Sequence, residues 1–105
     1  MYNNELNEIK ANKQSIGKTE SPTPFTTHSL EYKSDTIFYL FTDGLADQFG
    51  GLKGKKFKYK QFSEILLNSN HLSLPEQSGL LNATFDSWKG NLEQVDDVCV
   101  IGIKI

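Results

Sequence analysis

The sequence predicts an α+β domain in which helices cover a sheet. Two short apolar runs rich in aromatic or β-branched residues, Thr36–Phe41 and Val98–Ile105, have the length and composition of strands. Between them lie two segments whose apolar residues recur at helical spacing. Strands first, then two helices, then a strand is the element order of a layered α+β structure.

At 105 residues the chain has room for one small domain, and 37% hydrophobic with 23% charged residues is the composition of a globular protein. The first 24 residues are polar, with Leu6, Ile9 and Ile16 as their main aliphatic anchors, and they supply short strands at most. Residues 18–24 hold Pro22 and Pro24 among polar neighbours, which predicts a mobile loop. Phe25–Tyr32 alternates enough to predict an exposed or edge strand, and Lys33-Ser34-Asp35 a polar turn. The run Thr36–Phe41 is continuously apolar after its first residue, which predicts a strand buried on both faces.

Tyr59, Phe62, Ile65, Leu66 and Leu67 predict a helix from Tyr59 to Asn68. A second helix opens at Ser73-Leu74-Pro75-Glu76, because Ser73 can cap a backbone N–H, Glu76 can reach back, and Pro75 suits the first turn. Its stripe is Leu80, Leu81, Thr84, Phe85 and Trp88, with Gly90 as the stop. Trp88, in phase with Leu81 and Phe85, is expected in the core. Cys99, the single cysteine, forms no internal disulfide and is expected to be a buried, inert thiol.

A net charge of −2 gives no general reason to expect nucleic acid as a partner. The local exception is Lys53, Lys55, Lys56, Lys58 and Lys60. The chain has no arginine, so a phosphate meeting this cluster would meet point charges rather than bidentate forks. The first three are candidates for attracting a phosphorylated substrate; a solvated flap is the plainer reading. No leader-like segment and no run of the roughly 20 apolar residues needed to span a membrane is present, so a cytoplasmic location without membrane insertion is expected.

Two sites pair an apolar strand with acid: Phe41-Thr42-Asp43-Gly44 and Asp96-Asp97-Val98. Carboxylates at the ends of buried strands suit a hard divalent cation, since Mg²⁺ and Mn²⁺ take oxygen ligands. Gly44 permits a sharp turn and close backbone approach. Asp47, four residues after Asp43, falls on the same face if a helical turn begins there. The same residues also read as ordinary turn formers and as a solubilised strand entrance. His28 and His71 have no ligand partner at useful spacing.

The run from Phe41 to Gly51, the Lys53-Gly54-Lys55-Lys56-Phe57 segment and the terminal Val95–Ile103 together resemble the C-terminal portion of the SpoIIE-like branch of the metal-dependent (PPM) serine/threonine protein phosphatases. The likeness runs from about Glu5 to the end. It implies a share of a four-layer α-β-β-α sandwich, with a mostly antiparallel sheet carrying two helices. It also implies two Mn²⁺ or Mg²⁺ ions between the sheets, and water-dependent hydrolysis of phosphoserine or phosphothreonine in a substrate protein. By motif, Asp43 and Asp96 match metal ligands and Asp47 matches a residue at an additional, weaker metal. Gly44 and Asp97 lend backbone or outer support. The family's earlier bridging Asp and its Gly-rich segment have no counterpart here. The chain alone is therefore expected to bind metal weakly and to lack activity, with the missing half and a sensory or regulatory domain upstream. The competing expectation is a non-catalytic interaction module on the same scaffold, self-associating through exposed sheet.

Overall fold

The computed structural model describes every residue except Ser15, Lys18 and Thr19. The elements are β1 (Ile37–Phe41), α1 (Gly44–Asp47), β2 (Phe49–Gly50), β3 (Lys55–Lys56), α2 (Lys58–Asn68), α3 (Leu74–Lys89) and β4 (Val100–Lys104). The α+β class and both long helices agree with the sequence.

The two strands that frame the chain pair with each other. β1 and β4 run antiparallel, with Ile37 opposite Lys104 and Phe41 opposite Val100. Their turn-side neighbours extend the ladder, since Asp35 N–H donates to Ile105 O at 2.8 Å and Thr42 N–H donates to Cys99 O at 3.0 Å. Both helices pack on this pair. Phe62 of α2 meets Phe41 edge-on at 5.1 Å between ring centroids. From α3, Gln77 accepts the Tyr39 hydroxyl proton at 2.6 Å.

Gln77 is a buried relay. Its amide donates to Ser69 Oγ at 2.8 Å, and Ser69 donates in turn to Ile65 O at 2.6 Å. β1, α3 and the end of α2 are thus joined by one satisfied chain of hydrogen bonds. Burial of Tyr39 raises its pKa, and the Gln77 hydrogen bond works in the opposite direction.

The core is Leu45, Phe57, Phe62 and Leu66, with Leu81, Phe85, Trp88, Val98 and Val100 packed around it. Burying a Leu or Phe side chain fully contributes about 1.5–3 kcal/mol. Trp88 takes its expected place, edge-on to Phe57 at 5.4 Å, while its indole N–H donates to Gln48 O at 2.9 Å. Leu80 departs from the predicted stripe and is exposed, because α3 turns Leu81, Thr84, Phe85 and Trp88 inward.

Three further expectations are corrected. Phe25–Tyr32 is irregular rather than a strand. The backbone near its start is held by side chains: Thr23 N–H donates to Gln14 Oε1 and Thr26 N–H to Asn12 Oδ1, each at 2.9 Å. Side-chain amides there satisfy groups that a strand ladder would otherwise use. β1 is only partly buried, since Leu40, on the face turned away from the helices, is exposed: a two-stranded sheet has one covered face. Cys99 is exposed, because strand alternation turns Val98 and Val100 toward the core and Cys99 away. Of the predicted loop at 18–24, Lys18 and Thr19 lie outside the described residues; 20–24 is exposed and irregular. No helix among the described residues is long and apolar enough to cross a membrane.

The α3 start is a complete capping box, with Glu76 N–H donating to Ser73 Oγ and Ser73 N–H donating to Glu76 Oε1, both at 3.3 Å. The Ser73 hydroxyl and backbone N–H hold the Glu76 carboxyl below its ordinary pKa. A depressed carboxylate stabilises the fold above its unfolded pKa, and that contribution is lost as pH falls through the folded value. Ser73→Ala is expected to lower unfolding stability by about 1 kcal/mol. Urea denaturation at neutral pH checks this, and the difference between variant and parent should shrink in acid.

Candidate functional site

The β1–β4 register determines where the acids stand. Because Phe41 lies opposite Val100, the chain leaving β1 and the chain entering β4 emerge at the same end of the sheet. The first carries Thr42-Asp43-Gly44 and the second Asp96-Asp97-Val98. The two acidic motifs can meet only if their strands are neighbours, and the β1–β4 pairing makes them so.

Asp43 precedes a single helical turn. Asp47 N–H donates to Asp43 O at 2.9 Å, so Asp43 and Asp47 are one turn apart as the spacing predicts. Their carboxylates nevertheless have different partners. Asp43 Oδ1 accepts the hydroxyl proton of Tyr59, from the first turn of α2. Asp47 forms an exposed ion pair with Lys56 of β3 at 3.7 Å. Asp96 Oδ1 accepts the Asp97 N–H at 2.7 Å.

Gly44 is where the two acidic segments touch. A Cβ there would stand 2.2 Å from Asp97 O and 2.9 Å from Val98 Cγ2, so any side chain would force the segments apart. What the glycine admits here is the neighbouring backbone. Beyond α1 the chain forms the β2–β3 hairpin, with Phe49 opposite Lys56. Its turn is wedged against α3: Gly51, at φ 71°, donates to Trp88 O at 2.9 Å, and a Cβ on it would lie 2.6 Å from the indole ring. Lys53 and Lys55 are exposed on this hairpin, whereas Lys56 faces Asp47.

Carboxylate oxygens at one end of a sheet are the right donors for Mg²⁺ or Mn²⁺. Their number is too small for a full coordination shell. Among the described residues, no three His, Cys, Asp or Glu side chains are gathered so as to hold a metal ion. The donor chemistry suits such an ion, and the described residues gather fewer donors than it needs.

Two participants were not anticipated. Tyr59 reads in the sequence as one more apolar position of α2, yet its hydroxyl reaches Asp43. Thr42 reads as the end of a strand, yet its hydroxyl donates to Asp97 O at 2.9 Å and accepts Cys99 N–H at 3.0 Å. Only the hydroxyl groups themselves hinted at either role.

The Asp43 contact, with a smaller contribution from burial and from the charges of Asp43, Asp47 and Glu8, pushes the Tyr59 phenol up to about 12. A phenol raised in the folded state stabilises it below the ordinary value near 10, and this is lost as pH rises from there toward 12. In metal-free protein, Asp43→Asn should bring one tyrosine back toward its ordinary titration. A phenolate absorbance titration unchanged by the substitution would show that the contact is absent in solution.

The chain matches the family described as Stage II sporulation protein E (SpoIIE) over residues 3–105. Among solved structures it is similar to the SiaA-PP2C domain of Pseudomonas aeruginosa, at 35% identity and a TM-score of 0.63. That match covers 66% of this chain and 28% of the other, so the chain spans little more than a quarter of that structure. Comparison with curated proteins finds no match. With the α+β layers, the Asp-Gly turn and the terminal acidic strand in place, the chain belongs to the SpoIIE family of PP2C-like phosphatase domains.

Proposed function

We propose that this chain supplies the Asp43 and Asp96 side of a metal-dependent phosphatase centre that, in a complete domain, hydrolyses phosphoserine or phosphothreonine in protein substrates. The observation that supports this most directly is the pairing of Phe41 with Val100, which brings the two acidic segments to one sheet end. Asp43 and Asp96 would hold Mn²⁺ or Mg²⁺, with Asp47 at a weaker position once it leaves Lys56. When bound, such ions acidify water and neutralise charge on a phosphoryl group.

The residues of this chain have narrower tasks. Tyr59 restrains the Asp43 carboxylate through one oxygen. Gly44 lets the Asp97 backbone sit against the turn. Lys53 and Lys55 add exposed positive charge on the hairpin that follows Asp47, which suits attraction of a phosphorylated partner and would weaken as salt rises.

The test is Mn²⁺-dependent hydrolysis of p-nitrophenyl phosphate and of a phosphopeptide by a complete domain that contains this segment. Loss of groups that merely orient metal ligands costs about 10–100-fold, so Asp43→Asn should cost more than about 100-fold. Added salt should raise KM for the phosphopeptide more than for the small ester. Full activity in Asp43→Asn would reject the assignment.

A second reading is supported by the open face of the β1–β4 sheet. Leu40, Ile101, Ile103 and Ile105 are between 46% and 58% exposed. Apolar surface of this kind drives association, and a second copy of the chain is its simplest partner. Sedimentation velocity should show concentration-dependent dimers of the isolated chain. A monomer at all concentrations would remove this reading.

A further inference from the structure

The acidic segment that enters β4 has no regular secondary structure from Val95 to Cys99, yet side chains hold it on two sides. On one side is Gln48, fully buried at 0% exposure. Its Nε2 donates to Glu93 O at 2.8 Å and to Phe49 O at 3.0 Å, and its Oε1 accepts Val95 N–H at 3.4 Å. Its own carbonyl is fixed by the Trp88 indole and by Phe57 N–H, each at 2.9 Å. A buried amide with both ends satisfied can hold main chain at a set height, since moving either partner leaves polar atoms unpaired.

On the other side is Thr42, whose hydroxyl bonds Asp97 O and Cys99 N–H as described above. Asp96 therefore lies between two anchors, Gln48 at residues 93 and 95 and Thr42 at 97 and 99. Both anchoring residues belong to the segment that carries Asp43: Thr42 directly precedes it, and Gln48 follows the single turn of α1.

We propose that Thr42 and Gln48 are positioning residues, which clamp residues 93–99 so that Asp96 is held beside Asp43. This rests on the reading that these two acids share a cation site. Neither residue touches the cation in this scheme; each acts through the backbone that flanks Asp96. Thr42 is exposed, so replacing it leaves the core intact.

The experiment compares the 105-residue chain with Thr42→Val, Thr42→Ser and Gln48→Met by nuclear magnetic resonance. Amide hydrogen exchange at Asp97 and Cys99 is read without metal, and Mn²⁺ broadening of the Asp43 and Asp96 amides is read during titration. Thr42→Val should accelerate exchange at Cys99 and raise the Mn²⁺ midpoint about tenfold, with thermal stability little changed. Thr42→Ser should restore both. Gln48→Met should act in the same direction at Val95 and Asp96, and if it fails to fold, the threonine pair decides the matter.

Faster exchange with an unchanged Mn²⁺ midpoint would overturn the proposal, leaving Thr42 a structural role only. Unchanged exchange at Cys99 would overturn it as well. If the unsubstituted chain shows no broadening at Asp43 or Asp96, the cation reading fails by itself. The clamp then stands or falls on whether exchange at Asp97 and Cys99 responds to Thr42→Val.

Discussion

The pairing of β1 with β4 is the constraint from which the other features follow. The two strands are separated by nearly the whole of the ordered helical layer, so closing this pair brings together distant parts of the sequence and traps α2 and α3 against one face. Loop closure on that scale carries an entropic cost that rises only slowly with length, and burial of Phe62, Leu66 and Phe57 beneath the sheet offsets it. A shift of one residue in the register would turn Val98 and Val100 outward and Cys99 inward. It would also draw Asp97 away from Thr42. The core and the acidic end thus depend on the same alignment.

Around that alignment the molecule uses polar side chains as ties between elements. Gln77 joins strand to helix through Tyr39 and Ser69. Gln48 joins the hairpin, α3 and the segment before β4. No buried side-chain nitrogen or oxygen among the described residues lacks a partner. In a chain whose fully buried apolar set is small, such ties fix geometry that packing alone would leave loose.

Much of this was legible because local chemistry and tertiary need agreed. Ser73 and Glu76 announce the α3 start, Gly90 its end, and the apolar spacing of α2 holds at Phe62, Ile65 and Leu66, which face the core. The final strand reads from its β-branched residues alone. The failures share a cause in non-local partnership. Phe25–Tyr32 has strand-like composition, but Thr26 within it meets the side-chain amide of Asn12, and Thr23 just before it that of Gln14, instead of another strand. Thr36–Phe41 looks like a central strand, whereas a two-stranded sheet leaves its outer face open. At the acidic end, residue types mark Asp43, Asp47 and Asp96 as candidate oxygen donors. They could not reveal that Tyr59 and Lys56 would occupy two of those carboxylates.

The Thr42 contact creates an uneven tolerance along the acidic segment. Its hydroxyl grips a carbonyl at 97 and an N–H at 99, groups that nearly every amino acid provides. Position 99 cannot be proline, but the side chains at 97 and 99 are otherwise free to vary without loosening the grip. Position 42 has no such latitude, since only serine or threonine offers a compact donor and acceptor in one atom. The segment can thus change its charge and its surface chemistry at 97 and 99 while the turn that holds it stays fixed.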